Sequence, residues 1–212
     1  KIGVAGTQSL ADMLQFNRAL KSADFSANSI GDEGTAALSD ALKSNSTLET
    51  LELRSNEIGA AGAQSLAGML QVNRALNSAN LAENDIGDEG AVAISAALEN
   101  NNTLTELNLA ASWYGIKIRA TGAQEIAKML ADNRALTTLD LSNNNIGGVS
   151  GWVKKDELQG TSFKKAETVQ YNGQQCIILQ ENFLGDLKVQ NMSGVVALAE
   201  ALILNLSLIH IS

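Results

Sequence analysis

The chain has 212 residues, 45% of them hydrophobic, which is enough for one or two domains with a substantial core. Its apolar runs are short and interrupted, so no segment reads as a membrane span, and the net charge of −8 argues against nucleic acid and anionic membranes as partners. Cys176 is the single cysteine, which excludes an intramolecular disulfide and fits a reducing compartment.

Self-similarity begins at once. The chain opens at Lys1 rather than methionine, and Ile2-Gly3 already lies inside a repeat. Gly6, Gly34, Gly62 and Gly90 are each 28 residues apart, as are Asn17, Asn45, Asn73 and Asn101, and Leu20, Leu48, Leu76 and Leu104. One unit reads Leu48-x-x-Leu51-x-Leu53-x-x-Asn56-x-Ile58-Gly59-x-x-Gly62, followed by an amphipathic stretch to Asn73. Leu51 and Leu53 alternate with Thr50, Glu52 and Arg54, which predicts a short strand with one buried face. Asn28, Asn56, Asn84 and Asn144 follow their strands in one column; their amides are expected to satisfy backbone groups in a buried turn. Glycines at 31, 59, 87 and at 34, 62, 90 allow tight turns ahead of a helix, with Asp32 and Asp88 expected as N-caps and Glu33 and Glu89 in the first turn. Leu38, Ala41 and Leu42, then Leu66, Met69 and Leu70, share a helical face. No unit can cover its own apolar face, so neighbours must stack. Residues 3–58 also match 59–114 at just over half their positions, as if a two-repeat block had been duplicated.

The pattern resembles the ribonuclease-inhibitor type of leucine-rich repeat, from residue 3 to 147 and again from about 192 to 205. The resemblance implies an α/β solenoid, or horseshoe, with a parallel concave sheet and convex helices. Leucine-rich repeats should therefore fill 1–147 and resume over 192–205.

Two consecutive repeats break the pattern at the same turn. After Leu109 the asparagine column holds Ser112 and the isoleucine column Tyr114, and four extra residues separate Gly115 from Gly122. The next repeat is in register through Gly147, but its helix glycine is delayed to Gly194, leaving an insertion over 148–191. The insertion is charge-neutral and carries Trp152, Phe163, Tyr171 and Phe183. Val169 and Tyr171, Asn172-Gly173, then Cys176 to Leu179 predict a hairpin within a small β module, loosely similar to SH3-like barrels. Its aromatics serve either as the core of a small domain or as a recognition pocket, and Cys176 reads as a buried strand residue. Trp113, Tyr114, Lys117 and Arg119 should emerge beside the module's root. With Trp152, Tyr171 and Phe183 they form an expected platform, either seating the module or binding a partner.

The last seven residues, Leu206 to Ser212, resemble the conceptual translation of a common sequencing adapter and are expected to be foreign to the protein; alternatively, Leu208 and Ile211 open one more repeat strand. Under either reading, His210 is a poor candidate for catalysis or metal binding.

No phosphate-binding loop occurs, and one histidine and one cysteine cannot build a Ser-His-Asp, Cys-His or zinc site. No cofactor, metal or catalytic residue is expected. The concave face offers Asp24, Glu52, Asn80, Asn108 and Asp140 in one column, Glu106 beside them and Arg54 next in line. An acidic or amide column suits a protein partner with a basic or hydrogen-bonding surface; equally, short polar residues keep a sheet soluble. The resemblance extends to NOD-like receptor repeats and ribonuclease inhibitor, and so implies an intracellular, cytoplasmic protein-binding scaffold rather than an enzyme. The alternative is a GTPase-activating regulator similar to that of Ran, which is built from similar repeats.

Overall fold

The structure, a computed structural model, describes residues 1–146, 150–153, 168–171, 174–181, 187–191, 197 and 210–211. Helices and short strands alternate: α1 (Gly3–Phe16), β1 (Ser22–Asp24), α2 (Gly31–Ser44), β2 (Thr50–Glu52), α3 (Ala60–Leu70), β3 (Ser78–Asn80), α4 (Gly87–Leu98), β4 (Glu106–Asn108), α5 (Ala120–Asp132) and β5 (Thr138–Asp140). The strands pair in parallel in chain order, with Ser22, Thr50, Ser78, Glu106 and Thr138 in one row and Asp24, Glu52, Asn80, Asn108 and Asp140 in another. A further two-residue strand, β10 (His210–Ile211), pairs with β5 and places His210 beside Thr138.

Only the central residue of each three-residue strand faces the core, and that column is Ala23, Leu51, Ala79, Leu107 and Leu139, all buried. Helix residues at i, i+3 and i+4 meet them from the other side: Leu38, Ala41 and Leu42 in α2, and Leu66, Met69 and Leu70 in α3. Each fully buried leucine contributes about 1.5–3 kcal/mol. One continuous core therefore runs through all the described repeats.

The helix starts differ from the expected scheme. Asp32 and Asp88 are not N-caps of their own helices; Ile30 and Ile86 hold those positions. Instead, each aspartate reaches across to the next repeat. Asp32 Oδ1 accepts the backbone N–H groups of Gly59 (2.7 Å) and Gly62 (2.9 Å) at the start of α3. Asp88 Oδ1 does the same for Arg119 (2.7 Å) and Gly122 (3.0 Å) at the start of α5. A helix that receives such a carboxylate begins from extended backbone, with φ −95° at Gly59 and −108° at Arg119. Helices without one begin at glycine in the left-handed region, φ +62° at Gly31 and +61° at Gly87. From α2 to α5 the two kinds of start alternate, and an extended start accommodates the arginine at 119.

The second unit is a four-stranded antiparallel sheet in the order β6 (Ser150–Val153), β9 (Leu187–Asn191), β8 (Gln174–Glu181), β7 (Thr168–Tyr171). The β7–β8 pairing ends at Tyr171 opposite Gln174, on either side of Asn172-Gly173, while β6 pairs with β9 to close the order. Trp152, Tyr171 and Cys176 have strand positions only; Phe163, Phe183 and the resumed repeat, Ala197 excepted, lie outside the described residues.

Candidate functional site: the concave sheet and the irregular loop

Two asparagine columns hold the solenoid that carries the site. In the first, Asn56 is fully buried; its Nδ2 donates to the carbonyls of Phe25, Leu53 and Arg54 at 2.9–3.2 Å. Its Oδ1 accepts the Asn28 N–H at 2.9 Å and the Ile30 N–H at 3.4 Å. Asn84 repeats the arrangement one turn on, toward Leu53, Leu81 and Ala82. Asn28 and Asn144 are half-buried, and Asn144 Oδ1 accepts the Ile118 N–H. The second column is Asn45, Asn73, Asn101 and Asn133; the first three share the 28-residue spacing, which by itself assigns them no role. Each Nδ2 donates to a carbonyl at the end of the preceding repeat's helix: Leu14, Leu42, Leu70 and Leu98 at 2.6–2.8 Å. These are orphan C-terminal carbonyls that a buried helix end must satisfy.

On the concave face, the middle column has an internal duty. Asp24, Asn80, Asn108 and Asp140 each accept, through Oδ1, the N–H two residues on, at 2.8–3.0 Å. This i to i+2 bond turns the chain out of the strand, so aspartate and asparagine are interchangeable there. The Ser26 hydroxyl and N–H together hold the Asp24 carboxyl below the usual carboxylate range. Glu52 is too long for that turn, and neither the Glu52 nor the Glu106 side chain has a hydrogen bond or ion pair among the described residues. Arg54 is not free: it donates to Glu83 Oε1 at 2.5 Å, and the Ser55 hydroxyl donates to the other Glu83 oxygen at 2.6 Å. Those bonds push the Glu83 carboxyl down and the Arg54 guanidinium up. A groove of about 280 Å³ runs across the strands over Glu52, Ser78, Asn80, Glu106, Asn108 and Asp140. Its charge is therefore acidic without a compensating cation among the described residues.

The irregular loop corrects one sequence assignment. Ile118, not Tyr114, fills the isoleucine column: it is buried, and its N–H donates to the asparagine ladder as those of Ile30 and Ile58 do. The four extra residues thus precede Ile118, and Trp113, Tyr114 and Ile116 are pushed outward, 79%, 103% and 63% exposed. The loop is tied back at defined points, with Ile116 N–H on Asp85 Oδ1 at 2.8 Å and Arg119 N–H on Asp88. A Cβ at Gly87 would meet the Ile116 methyl at 2.9 Å, so that side chain lies across the start of α4. In the sequence, Tyr114-Gly115 imitates Ile58-Gly59 four residues too early, which leaves Ile116 without a distinguishing mark. Among the described residues, no cluster of three His, Cys, Asp or Glu side chains is arranged to hold a metal, and no helix is long and apolar enough to cross a membrane.

The matching family model is Leucine Rich repeat, over residues 44–67, 72–95 and 132–151. With the parallel sheet and the alternating helices, this makes the chain a leucine-rich-repeat protein. Among solved structures it is similar to actin-binding site 2 of leiomodin-1, at 27% identity and a TM-score of 0.57, covering 62% of this chain and 76% of that one. It shares its fold with the C-terminal domain of tropomodulin from Caenorhabditis elegans, at 13% identity and a TM-score of 0.58, covering 94% and 92%. No curated protein sequence matches the chain.

Proposed function

We propose that the protein is a binding scaffold whose concave sheet docks a protein partner through basic groups on that partner. The observation that carries this reading is the unpaired state of Glu52 and Glu106 on the groove, beside Asp24 and Asp140, while the face's cation Arg54 is held by Glu83. The concave columns carry no aromatic anchor, so electrostatics would set orientation and rate more than affinity. The leiomodin-1 structure is a site that binds actin, which makes actin the first partner to test. Sedimentation with purified actin should show saturable binding that is lost in the double charge reversal Glu52→Lys/Glu106→Lys. Both side chains are free of internal bonds, so the variant should melt as the parent does. Binding unchanged by the double reversal would overturn the concave assignment, and no binding by the parent would remove actin.

A further inference from the structure

The loop between β4 and α5 has chemistry opposite to that of the groove. Within residues 1–146 there are ten lysines and arginines. Lys1, Lys21, Lys43, Arg54 and Lys128 are in ion pairs, and Arg18, Arg74 and Arg134 donate to carbonyls at the ends of α1, α3 and α5. Lys117 and Arg119 are the remaining two, and neither side chain has an acceptor among the described residues. They follow directly on the short segment that exposes Trp113, Tyr114 and Ile116. Elsewhere in the described repeats the turn is made by Ser29, Glu57 or Asp85, so stacking does not demand aromatics there.

We infer that this loop is a second docking surface, for a protein segment that pairs carboxylates with an apolar anchor. It rests on the scaffold reading and adds a second contact of different chemistry. Exposed tryptophan, tyrosine and arginine are the residue types on which interface energy concentrates. The loop is also preorganised, because Asp85, Asp88 and Asn144 hold the backbone at Ile116, Arg119 and Ile118. Ordering it on binding therefore costs little. The partner's carboxylates would meet the two free cations, while its apolar side chain covers the rings. Aromatic and cationic side chains together also suit an anionic membrane, but such a surface is held by clusters of about 4–8 lysines and arginines. Lys117 and Arg119 are two, bordering a groove of about 370 Å³ with Ile116 between the same walls, which fits a short protein segment with few carboxylates and an apolar anchor.

The test uses the full chain and a short fluorescein-labelled peptide alternating glutamate with leucine and phenylalanine. Its controls are the same peptide with lysine for glutamate, and vesicles of phosphatidylserine in phosphatidylcholine. The acidic peptide should bind saturably, and Trp113→Ser/Tyr114→Ser should weaken it at least about tenfold without moving the melt. Lys117→Glu/Arg119→Gln should weaken it about threefold and make the lysine peptide the better ligand, an effect that fades with added salt. Glu52→Lys/Glu106→Lys should leave acidic-peptide binding intact, so failure here is separable from failure of the concave assignment. Absence of saturable binding, equal preference for the two peptides, indifference to the aromatic substitutions, or binding to vesicles alone would each overturn the inference.

Discussion

Replacing Asp32 by alanine leaves the N–H groups of Gly59 and Gly62 without their acceptor, while the helix that carries Asp32 loses a first-turn charge but no hydrogen bond. Removing a capping oxygen costs about 1 kcal/mol, and removing a negative charge from a helix N-terminus about 0.3–1 kcal/mol more. Asp32→Ala should therefore destabilise by about 1–2 kcal/mol. Asp32→Asn retains the oxygen and loses the charge, so it should cost less than about 1 kcal/mol. Glu33 is the internal control: it sits in the same first turn with the same charge and makes no bond to the next repeat among the described residues. Urea denaturation reads these differences directly; with a slope of about 1–3 kcal/mol/M, the alanine variant should shift the midpoint down by about 0.5 M. Hydrogen exchange should place the loss at the start of α3 rather than in α2. If Glu33→Gln proves as costly as Asp32→Ala, the effect is one of charge alone and capping between repeats is refuted.

Asn56→Ala should cost about 2–3 kcal/mol, because the Asn28 and Ile30 N–H groups lose their acceptor, while the three carbonyls it served keep other donors; a melt within error of the parent would contradict this. Ser39 and Ser95 bury hydroxyls with no hydrogen-bond partner where α1, α3 and α5 carry Ala11, Ala67 and Ala127. Serine to alanine at each should stabilise by up to about 1 kcal/mol, additively, as read by calorimetry. The Glu83 carboxyl is depressed by Arg54 and Ser55, so its contribution is fully present above the ordinary glutamate range and lost as pH falls through its lowered value. Both partners are well exposed, so the effect is small. Glu83→Gln should narrow the gap between melts at neutral and acid pH, and an unchanged gap would refute the linkage.

Much of the solenoid is legible in the sequence because its repeat repeats the physics. Leu51, Leu53 and Ile58 recur at a fixed spacing, and a buried column that recurs can only stack on itself. What the sequence hid are interactions whose two ends sit in different repeats. Asp32 looks like an N-cap because local spacing fits one, yet its carboxylate accepts from Gly59 and Gly62 of the next repeat. The same blindness concealed the Asn45 column, whose carbonyl acceptors lie some thirty residues back in the chain. It also misplaced the loop. Tyr114-Gly115 imitates Ile58-Gly59 in one dimension, but only Ile118 meets the oxygen of Asn144 and the core beneath it. The concave column carries a duty that the sequence does not display. Aspartate and asparagine at 24, 80, 108 and 140 read as partner contacts, and the Oδ1 of each also turns the chain out of its strand. Among the described residues, the side chains of Glu52 and Glu106 on the sheet, and of Trp113, Tyr114, Lys117 and Arg119 on the loop, make no hydrogen bond or ion pair, while the Arg119 backbone N–H is held by Asp88 and its carbonyl by the Ala123 N–H. Residues freed from the fold's own bonding are those a partner can use at least cost to stability. Binding variants should therefore be built at these positions before any member of the asparagine or aspartate columns.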